Sequence, residues 1–236
     1  MSFSFSSLSL YNTCPFAYKL SYIDKVKPVR STALVKGSNV HSILEKYPEI
    51  QEKEYKFNEN LIVSNFLNSE IGNYFKDVLL NKKTAREFKF GLTKNFENDT
   101  FKDSFYHGII DLIYFDNDVL NICDYKTGKY KENQDFSQLL TYSLFFKNYD
   151  KIKINYLYVE HNKINSKVVT KEDIEKTQDF IIKTTDIILQ DKTFKRNCGK
   201  HCNWCQFSEK CDEILDDMYL EDFKFLGPLR IYSNLC

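Results

Sequence analysis

The chain has 236 residues, enough to form one sizeable domain without cross-links. Hydrophobic residues make up 42% of it and aromatic residues 16%, which is ordinary for a globular protein, and no apolar stretch is long enough to span a bilayer. Lysine plus arginine and aspartate plus glutamate are equal at 33 each. This balance excludes the basic excess that is usual in nucleic-acid-binding proteins, so any such surface has to be a local patch.

The amino-terminal segment bears on the compartment of the protein. Residues 1–14 lack the positively charged start and the long apolar run of a secretion signal. We therefore expect a cytoplasmic, intracellular protein whose seven cysteines are thiols. In such a protein, ligation of a metal or a cluster is favoured over disulfides.

The first third of the chain is predicted to be helical. Apolar residues recur at helical spacing over residues 4–20, with an interruption at Cys14-Pro15, and again over residues 33–47 and 58–80. In the second of these helices, Gly37 and His41 are one turn apart, so His41 can project from the side of the helix.

The middle of the chain is predicted to form a sheet. Residues 105–115 and 119–125 are β-rich runs separated by an Asp-Asn-Asp turn, which predicts an antiparallel hairpin. The elements predicted around this hairpin are a strand over residues 85–91, a helix over 135–146, two paired strands over 153–160 and 166–170, and a helix from Thr170 to about residue 190 with capping-box spacing.

Two carboxylates and a lysine lie on the hairpin. Asp111 stands among apolar residues, an expensive place for a carboxylate unless it is hydrogen-bonded or binds a cation; the alternative is an aspartate at a strand edge that faces water. Asp124 and Lys126 are two residues apart on a strand, so their side chains leave the same face. Two carboxylates about 4 Å apart repel by roughly 4 kcal/mol at an effective dielectric constant near 20, a penalty that a divalent cation removes. The pattern therefore favours a Mg²⁺ site with Lys126 beside the developing negative charge.

These motifs resemble the PD-(D/E)xK nuclease superfamily, and within it the RecB-like branch. There a G-x-x-D strand precedes a D-Y-K-T-G strand, and here the motifs run from Gly108 to Asp111 and from Asp124 to Gly128. A Gly-x-x-x-His and a Gln-x-x-x-Tyr on helices occur in the same order, as Gly37, His41, Gln138 and Tyr142. The resemblance implies an α/β fold, in which a mixed central β-sheet flanked by helices forms a restriction-endonuclease-like core.

The resemblance also implies a role for each site residue. The ligands of Mg²⁺ or Mn²⁺ would be His41, Asp111, Asp124 and the carbonyl oxygen of Tyr125. The catalytic residues would be Asp111, Asp124, Lys126, Gln138 and Tyr142, the last two contacting substrate or bracing Lys126, while Glu87 would support the site from its strand. Taken singly, a surface histidine, a solvated glutamine, a core tyrosine and a strand-edge glutamate are at least equally good interpretations.

Three cysteines cluster near the carboxyl end as Cys202-x₂-Cys205-x₅-Cys211, a spacing typical of tetrahedral metal or cluster ligation. Iron–sulfur members of the RecB-like branch, among them AddB and the CRISPR-associated exonucleases of the Cas-four type, take a fourth cysteine from the amino terminus. Cys14, in its Asn-Thr-Cys-Pro-Phe context, matches that position. The resemblance thus implies a [4Fe–4S] cluster that clasps the two ends of the chain in a helical lobe.

Other interpretations of the cysteines stay open. A zinc site could use Cys198 or His201 as its fourth ligand, and the thiols could be unligated. Cys123, on an apolar strand, is expected in the core, and Cys236 is expected to be a free thiol of the tail.

We expect one nuclease domain over residues 1–236, with a helical part over 1–82, a catalytic sheet and helix over 83–170, and a helix with the cysteine cluster over 171–236. The expected function is that of a metal-dependent deoxyribonuclease, an exonuclease on DNA ends or single strands in repair, recombination, phage DNA processing or CRISPR adaptation. Its expected partners are DNA and a helicase, an integrase or another recombination or CRISPR protein, with no membrane. The rivals are a catalytically weak nucleic-acid-binding or assembly subunit of a larger complex and a zinc-stapled protein with an unrelated role.

Overall fold

The computed structural model describes residues 1–28, 32–52, 61–81 and 83–211. The chain divides into two compact units. Unit 1 consists of Met1–Phe5 and Thr32–Asp186, and unit 2 of the described parts of Ser6–Ser31 and Ile187–Cys236. The predicted free thiol of Cys236 lies outside the described residues.

Among the described residues, helices precede and follow a central part of the chain that contains the strands. In chain order the helices are α1 (Phe5–Thr13), α2 (Pro15–Tyr18), α3 (Thr32–Glu45), α4 (Tyr47–Glu52), α5 (Leu61–Leu67), α6 (Glu70–Leu80), α7 (Ser137–Ser143) and α8 (Lys171–Gln190). The strands are β1 (Ala85–Leu92), β2 (Asn98–Asp99), β3 (Tyr106–Asp116), β4 (Val119–Lys126), β5 (Ile152–Tyr158) and β6 (Lys163–Val168).

A mixed sheet forms the centre of unit 1. Its strand order is β2-β1-β3-β4-β5-β6, and its neighbouring strands are antiparallel except for β4 and β5, which run parallel. The segment between these two strands carries α7, as the crossover between parallel strands requires. The predicted hairpin is present, with Asp116 opposite Val119 at its turn. A mixed sheet flanked by helices confirms the predicted α/β architecture.

The two faces of the sheet carry different helices. Alternation along β4 places Cys123 and Tyr125 on one face, where they join a buried core with residues of α3, α5 and α6 such as Leu44, Phe66 and Phe75. Cys123 is therefore a core residue, as predicted. Asp124 and Lys126 leave the opposite face, which is the face of α7.

The continuous helix predicted over residues 58–80 is wrong in its described part. Ser69 ends α5 by donating its hydroxyl to the carbonyl of Phe66, and starts α6 by accepting the N–H of Gly72 at 3.0 Å. A Cβ on Gly72 would stand 1.7 Å from the carbonyl oxygen of Phe66, so the glycine permits the close approach of the two helices. The helical spacing of apolar residues continues across this break because α5 and α6 both bury an apolar face in the same core.

Two further differences are small. The helix predicted over residues 135–146 begins at Ser137, where Asp135 accepts the N–H and the hydroxyl of that serine, and ends in a turn of 3₁₀ helix over Leu144–Phe146. Strand β2 was not predicted, because two residues are too few for a pattern.

The described part of unit 2 is helical at both of its segments. The chain breaks between α1 and α2 at Cys14, as predicted, with Pro15 at the first position of α2, where its missing N–H costs nothing. A small core forms from Ala17, Leu20 and Phe207. Over the described residues of the whole chain, no helix combines the length and the apolar character needed to cross a membrane.

Candidate active site

The two hairpin carboxylates are buried next to each other in the sheet. Asp111 on β3 and Asp124 on β4 are 9% and 5% exposed. Oδ2 of Asp111 accepts the backbone N–H of Tyr125 at 2.7 Å, across the gap between the two strands. This bond partly offsets the cost of burying a carboxylate and fixes its orientation.

A chain of polar contacts joins Asp124 to helix α7. Its Oδ1 accepts from Nε2 of Gln138 at 2.7 Å, and its Oδ2 lies 2.6 Å from Nζ of Lys126. Gln138 also accepts from Lys126 through Oε1 at 3.0 Å and donates to the hydroxyl of Tyr142 at 3.0 Å. The i, i+4 spacing on α7 thus places Gln138 and Tyr142 on the face that carries the strand residues.

The ammonium of Lys126 is held on three sides. Besides the contacts with Asp124 and Gln138, its Nζ lies 4.7 Å from the centre of the Tyr156 ring, a cation–π geometry. Tyr156 belongs to β5, the parallel neighbour of β4. This contact could not be predicted from local patterns, because it depends on the register of two strands that are about 30 residues apart along the chain.

His41 reaches the hairpin from α3. Its Nε2 donates to the carbonyl oxygen of Tyr125 at 3.0 Å, and its Nδ1 lies 3.3 Å from Oδ1 of Asp111. Burial lowers the pKa of His41, but its hydrogen bond with Asp111 and the charges of Asp111 and Asp124 outweigh burial and raise the pKa above the usual value. The imidazole therefore lies in a field of negative charge.

Glu87 completes a cluster with His41 and Asp111. One ligand atom of each residue lies within 4.8 Å of the others, an arrangement that could hold a metal ion. The resemblance implied only a supporting role for Glu87, and the structure brings its carboxylate into this group. Its backbone φ is 46°, in the left-handed region, which is strained for a residue other than glycine. Burial and then the charge of Asp111 raise the pKa of its carboxyl.

Asp124 stands beside this cluster. Burial, and next the charge of Asp111, raise the pKa of Asp124 above the usual range, while Lys126 and His41 act in the opposite direction. Apart from the ion pair with Lys126, its Oδ2 has no hydrogen-bond partner among the described residues. Carboxylate oxygens, one of them without a hydrogen bond, an imidazole and a backbone carbonyl suit a divalent cation. The residues present therefore fit Mg²⁺ or Mn²⁺.

A basic rim lies just beyond the carboxyl end of β4. Lys129, Lys131 and Lys163 are exposed there, and Nζ of Lys163 lies 4.3 Å from the centre of the Tyr130 ring. Asn165 of β6 fixes the loop by donating to the carbonyl of Lys131 at 2.7 Å. The three lysines supply local positive charge in a chain that is neutral as a whole, and exposed Glu132 and Asp135 belong to the same loop.

In unit 2, the four predicted cluster ligands line one cavity. Its volume is about 160 Å³, and its lining contains the sulfur residues Cys14, Cys202, Cys205 and Cys211. Apolar residues such as Phe16 and Phe207 line it as well. Cys198 and His201, the alternative fourth ligands of a zinc site, belong to the same lining. Cys198 is disulfide-bonded, so the expectation of a thiol is wrong for this residue and it offers no thiolate to a metal. Thiols around a cavity with apolar cover fit a metal or a cluster.

Comparison with known proteins gives a family match and several solved structures of similar fold, two of which are described below. The PD-(D/E)XK nuclease superfamily matches residues 2–212. No curated protein matches the sequence. The crystal structure of SSO0001 is 17% identical, with 87% of this chain and 95% of that chain covered and a TM-score of 0.38. A protein of Eubacterium rectale described as a candidate exonuclease is 15% identical, with 80% of each chain covered and a TM-score of 0.47.

Proposed function

Because the chain belongs to the PD-(D/E)XK nuclease superfamily, a group of metal-dependent nucleases, we propose that it is a deoxyribonuclease whose reaction centre is formed by Asp111, Asp124 and Lys126. The observation that carries the proposal is the placement of Lys126 against Asp124 and Gln138 at the end of β4. Its action is that of an exonuclease on DNA ends or single strands.

The metal site supplies the charge needed for phosphodiester hydrolysis. His41, Asp111, Asp124 and the carbonyl of Tyr125 would hold the ion, and Glu87, which clusters with His41 and Asp111, would add a further carboxylate. When bound, Mg²⁺ or Mn²⁺ polarises a phosphate oxygen and lowers the pKa of water.

Lys126 contributes a positive charge to the reaction centre beside Asp124. Its contacts with Asp124, Gln138 and Tyr156 restrict the ammonium to one position. A positive charge fixed in advance stabilises the negative charge that develops in the transition state without any reorganisation. Gln138 keeps both members of the ion pair in place, and the hydroxyl of Tyr142 keeps Gln138 in place.

The basic rim supports DNA as the substrate. Lys129, Lys131 and Lys163 can neutralise phosphates of a strand that passes over the end of β4. Backbone contacts of this kind position a nucleic acid without selecting a sequence.

The cysteine cavity of unit 2 supports a [4Fe–4S] cluster ligated by Cys14, Cys202, Cys205 and Cys211. These four residues are partly exposed around one cavity, whereas the core residue Cys123 is fully buried. The cluster has a structural role in this proposal, since it joins segments that are far apart in the sequence.

Replacement of Lys126 tests the proposed reaction centre. We expect Lys126→Ala to reduce cleavage of labelled single- and double-stranded DNA by at least about a hundred-fold with Mg²⁺ or Mn²⁺ present, because one charged stabilising group is lost. Chelation of the metal should abolish cleavage by the unaltered protein, and addition of either ion should restore it.

Two further variants control this experiment. Lys126→Gln keeps a hydrogen-bond donor beside Asp124 but removes the charge, so it should fold normally and be inactive. Lys183→Ala removes a lysine of α8 whose side chain is 76% exposed, and should leave cleavage unchanged. Wild-type cleavage rates in both Lys126 variants would refute the assignment.

A further inference from the structure

A short segment of unit 2 carries concentrated positive charge. Residues 191–205 contain one acidic residue, Asp191, and four basic residues, which are Lys192, Lys195, Arg196 and Lys200. The three lysines are exposed. The segment also contains His201. The overall composition does not reveal this local positive charge, because the net charge of the whole chain is zero.

The single acidic residue of the segment does not neutralise it. Oδ1 of Asp191 accepts the backbone N–H groups of Thr193 and Phe194, at 2.7 and 2.9 Å, and Oδ2 accepts the hydroxyl of Tyr11 at 2.8 Å. None of the segment's lysines forms an ion pair with a described residue. The lysines are thus available to an external anion.

An exposed aromatic ring lies in the same segment. Trp204, the one tryptophan of the chain, is 78% exposed. It ends a turn of 3₁₀ helix that begins at Lys200 and includes His201. Its neighbours Asn203 and Cys205 line the cysteine cavity, but Trp204 does not. No ring contact or hydrogen bond joins its indole to another residue within the described ranges.

We propose that this segment, Asp191–Cys205, is a binding site for single-stranded DNA, in which Trp204 stacks on a base and Lys195 and Lys200 contact phosphates. The proposal rests on the proposed function as a DNA nuclease and deepens it by naming the form of its substrate. Exposing so large an apolar ring to water costs free energy that stacking on a base recovers.

The combination of ring and charge selects an unpaired strand. A tryptophan can stack on a base only where the base is not already stacked and paired within a duplex. The basic side chains of the same segment track the backbone, and neither the stacking nor the phosphate contacts read the identity of the base. The site therefore binds single strands with little sequence preference.

Equilibrium binding tests the role of Trp204. The probe is a fluorescein-labelled oligodeoxythymidylate of about 16 nucleotides, and its anisotropy is measured with the full-length protein in buffer without divalent cations, so that binding is read without cleavage. We expect Trp204→Ala to weaken binding by at least about fivefold. Trp204→Phe should recover most of the affinity, because it restores a stacking ring.

The matched control is Phe115→Ala, which removes an exposed ring of unit 1 and should leave affinity unchanged. For a blunt duplex of the same length, Trp204→Ala should weaken the affinity of the protein by less than about twofold.

The salt dependence of binding tests the lysines. Each phosphate contact to a single strand contributes about 0.7 to the slope of log affinity against log salt. Lys195→Ala combined with Lys200→Ala should lower that slope by about 1.4. The double variant Lys176→Ala with Lys183→Ala, which removes two exposed lysines of α8, should leave the slope unchanged.

The outcomes separate this inference from the proposed function. If the wild-type protein cleaves DNA and Trp204→Ala binds the oligonucleotide as tightly as the wild type does, the inference is overturned but the proposed function is not. The exposed Trp204 would then be assigned to contact with a protein partner. Equal weakening by Trp204→Ala and Trp204→Phe, or an equal loss on the duplex, would also overturn it. Weakened single-strand binding by Trp204→Ala in a protein that does not cleave DNA would support the inference and refute the proposed activity.

Discussion

Gly108 makes room for the site by having no side chain. A Cβ at this position of β3 would stand 2.6 Å from a ring carbon of Phe90 and 2.9 Å from Cε1 of Tyr142. Tyr142 holds Gln138, and Gln138 holds Lys126. We expect Gly108→Ala to lower the free energy of unfolding by about 1–3 kcal/mol, as overpacking does, and to slow cleavage because Tyr142 is displaced. Thermal denaturation and a cleavage assay measure the two effects.

Gly128 offers the matched control. A Cβ there would meet no atom within 4 Å, although this glycine ends the D-Y-K-T-G motif that carries Asp124 and Lys126. Gly128→Ala should retain both the stability and the activity of the unaltered protein. If Gly108→Ala behaved in the same way, the packing of Phe90 and Tyr142 would not be what positions Gln138.

Single residues of the site differ in how far their position could be predicted. The nearness of Asp124 to Lys126 follows from strand alternation, and that of Gln138 to Tyr142 from helical spacing. The contribution of Glu87 could not be predicted, because it depends on a left-handed backbone conformation within a strand. That conformation is strained for glutamate, and no local sequence signal favours it. The catalytic and metal-binding roles of all these residues stay predictions.

At the scale of elements, the spacing of apolar residues predicts where most helices and strands lie, but it does not predict the residues at which they begin and end. The hairpin of β3 and β4 was predicted almost to the residue, because a polar turn separates two apolar runs. The break between α5 and α6 was missed, since Ser69 acts as a cap only when the chain already turns there. An N-cap can be predicted when the cap residue directly precedes the helical pattern. Thr170 precedes α8 in this way, and its hydroxyl accepts the N–H of Asp173.

The turn that follows α8 depends on the charge of Asp191. Its bonds to the N–H groups of Phe194 and Thr193, and then to the hydroxyl of Tyr11, lower the pKa of its carboxyl from 3.8 to about 2. A carboxyl whose pKa is lower in the folded state stabilises the fold above its unfolded pKa, and that contribution is lost as the pH falls through the folded pKa. The stabilisation is thus complete above about pH 4 and disappears towards pH 2.

This pH dependence can be measured as a difference between two proteins. We expect Asp191→Asn to lower the melting temperature by a few degrees at neutral pH, and we expect the gap to the wild type to shrink as the pH falls below about 4. Asp179→Asn, at an exposed position of α8, is the control. A gap of constant size at every pH would show that the charge of Asp191 does not stabilise the turn.

At the scale of the whole molecule, two segments that are far apart in the sequence fold into one unit. Unit 2 contains Ser6–Ser31 together with the described part of Ile187–Cys236, and the thiols of both segments line one cavity. Composition could not predict this, because nothing local relates Cys14 to cysteines almost 190 residues away. The resemblance to the RecB-like branch supplied that relation, whereas the choice between iron–sulfur and zinc depends on the identity of the bound metal.

Replacement of Cys14 tests the clasp. If a [4Fe–4S] cluster joins the ends, the anaerobically purified protein is brown and contains iron and sulfide, and Cys14→Ser loses the colour and the iron. Its melting temperature should fall as well, because a covalent link closing a loop of this length is worth about 5 kcal/mol in the chain-entropy account. Cys123→Ala, which removes a buried core thiol, should keep the iron even if packing suffers. If the wild-type protein is colourless and contains zinc, the site is a zinc site and not an iron–sulfur cluster. If Cys14→Ser retains its iron, Cys14 is not a ligand.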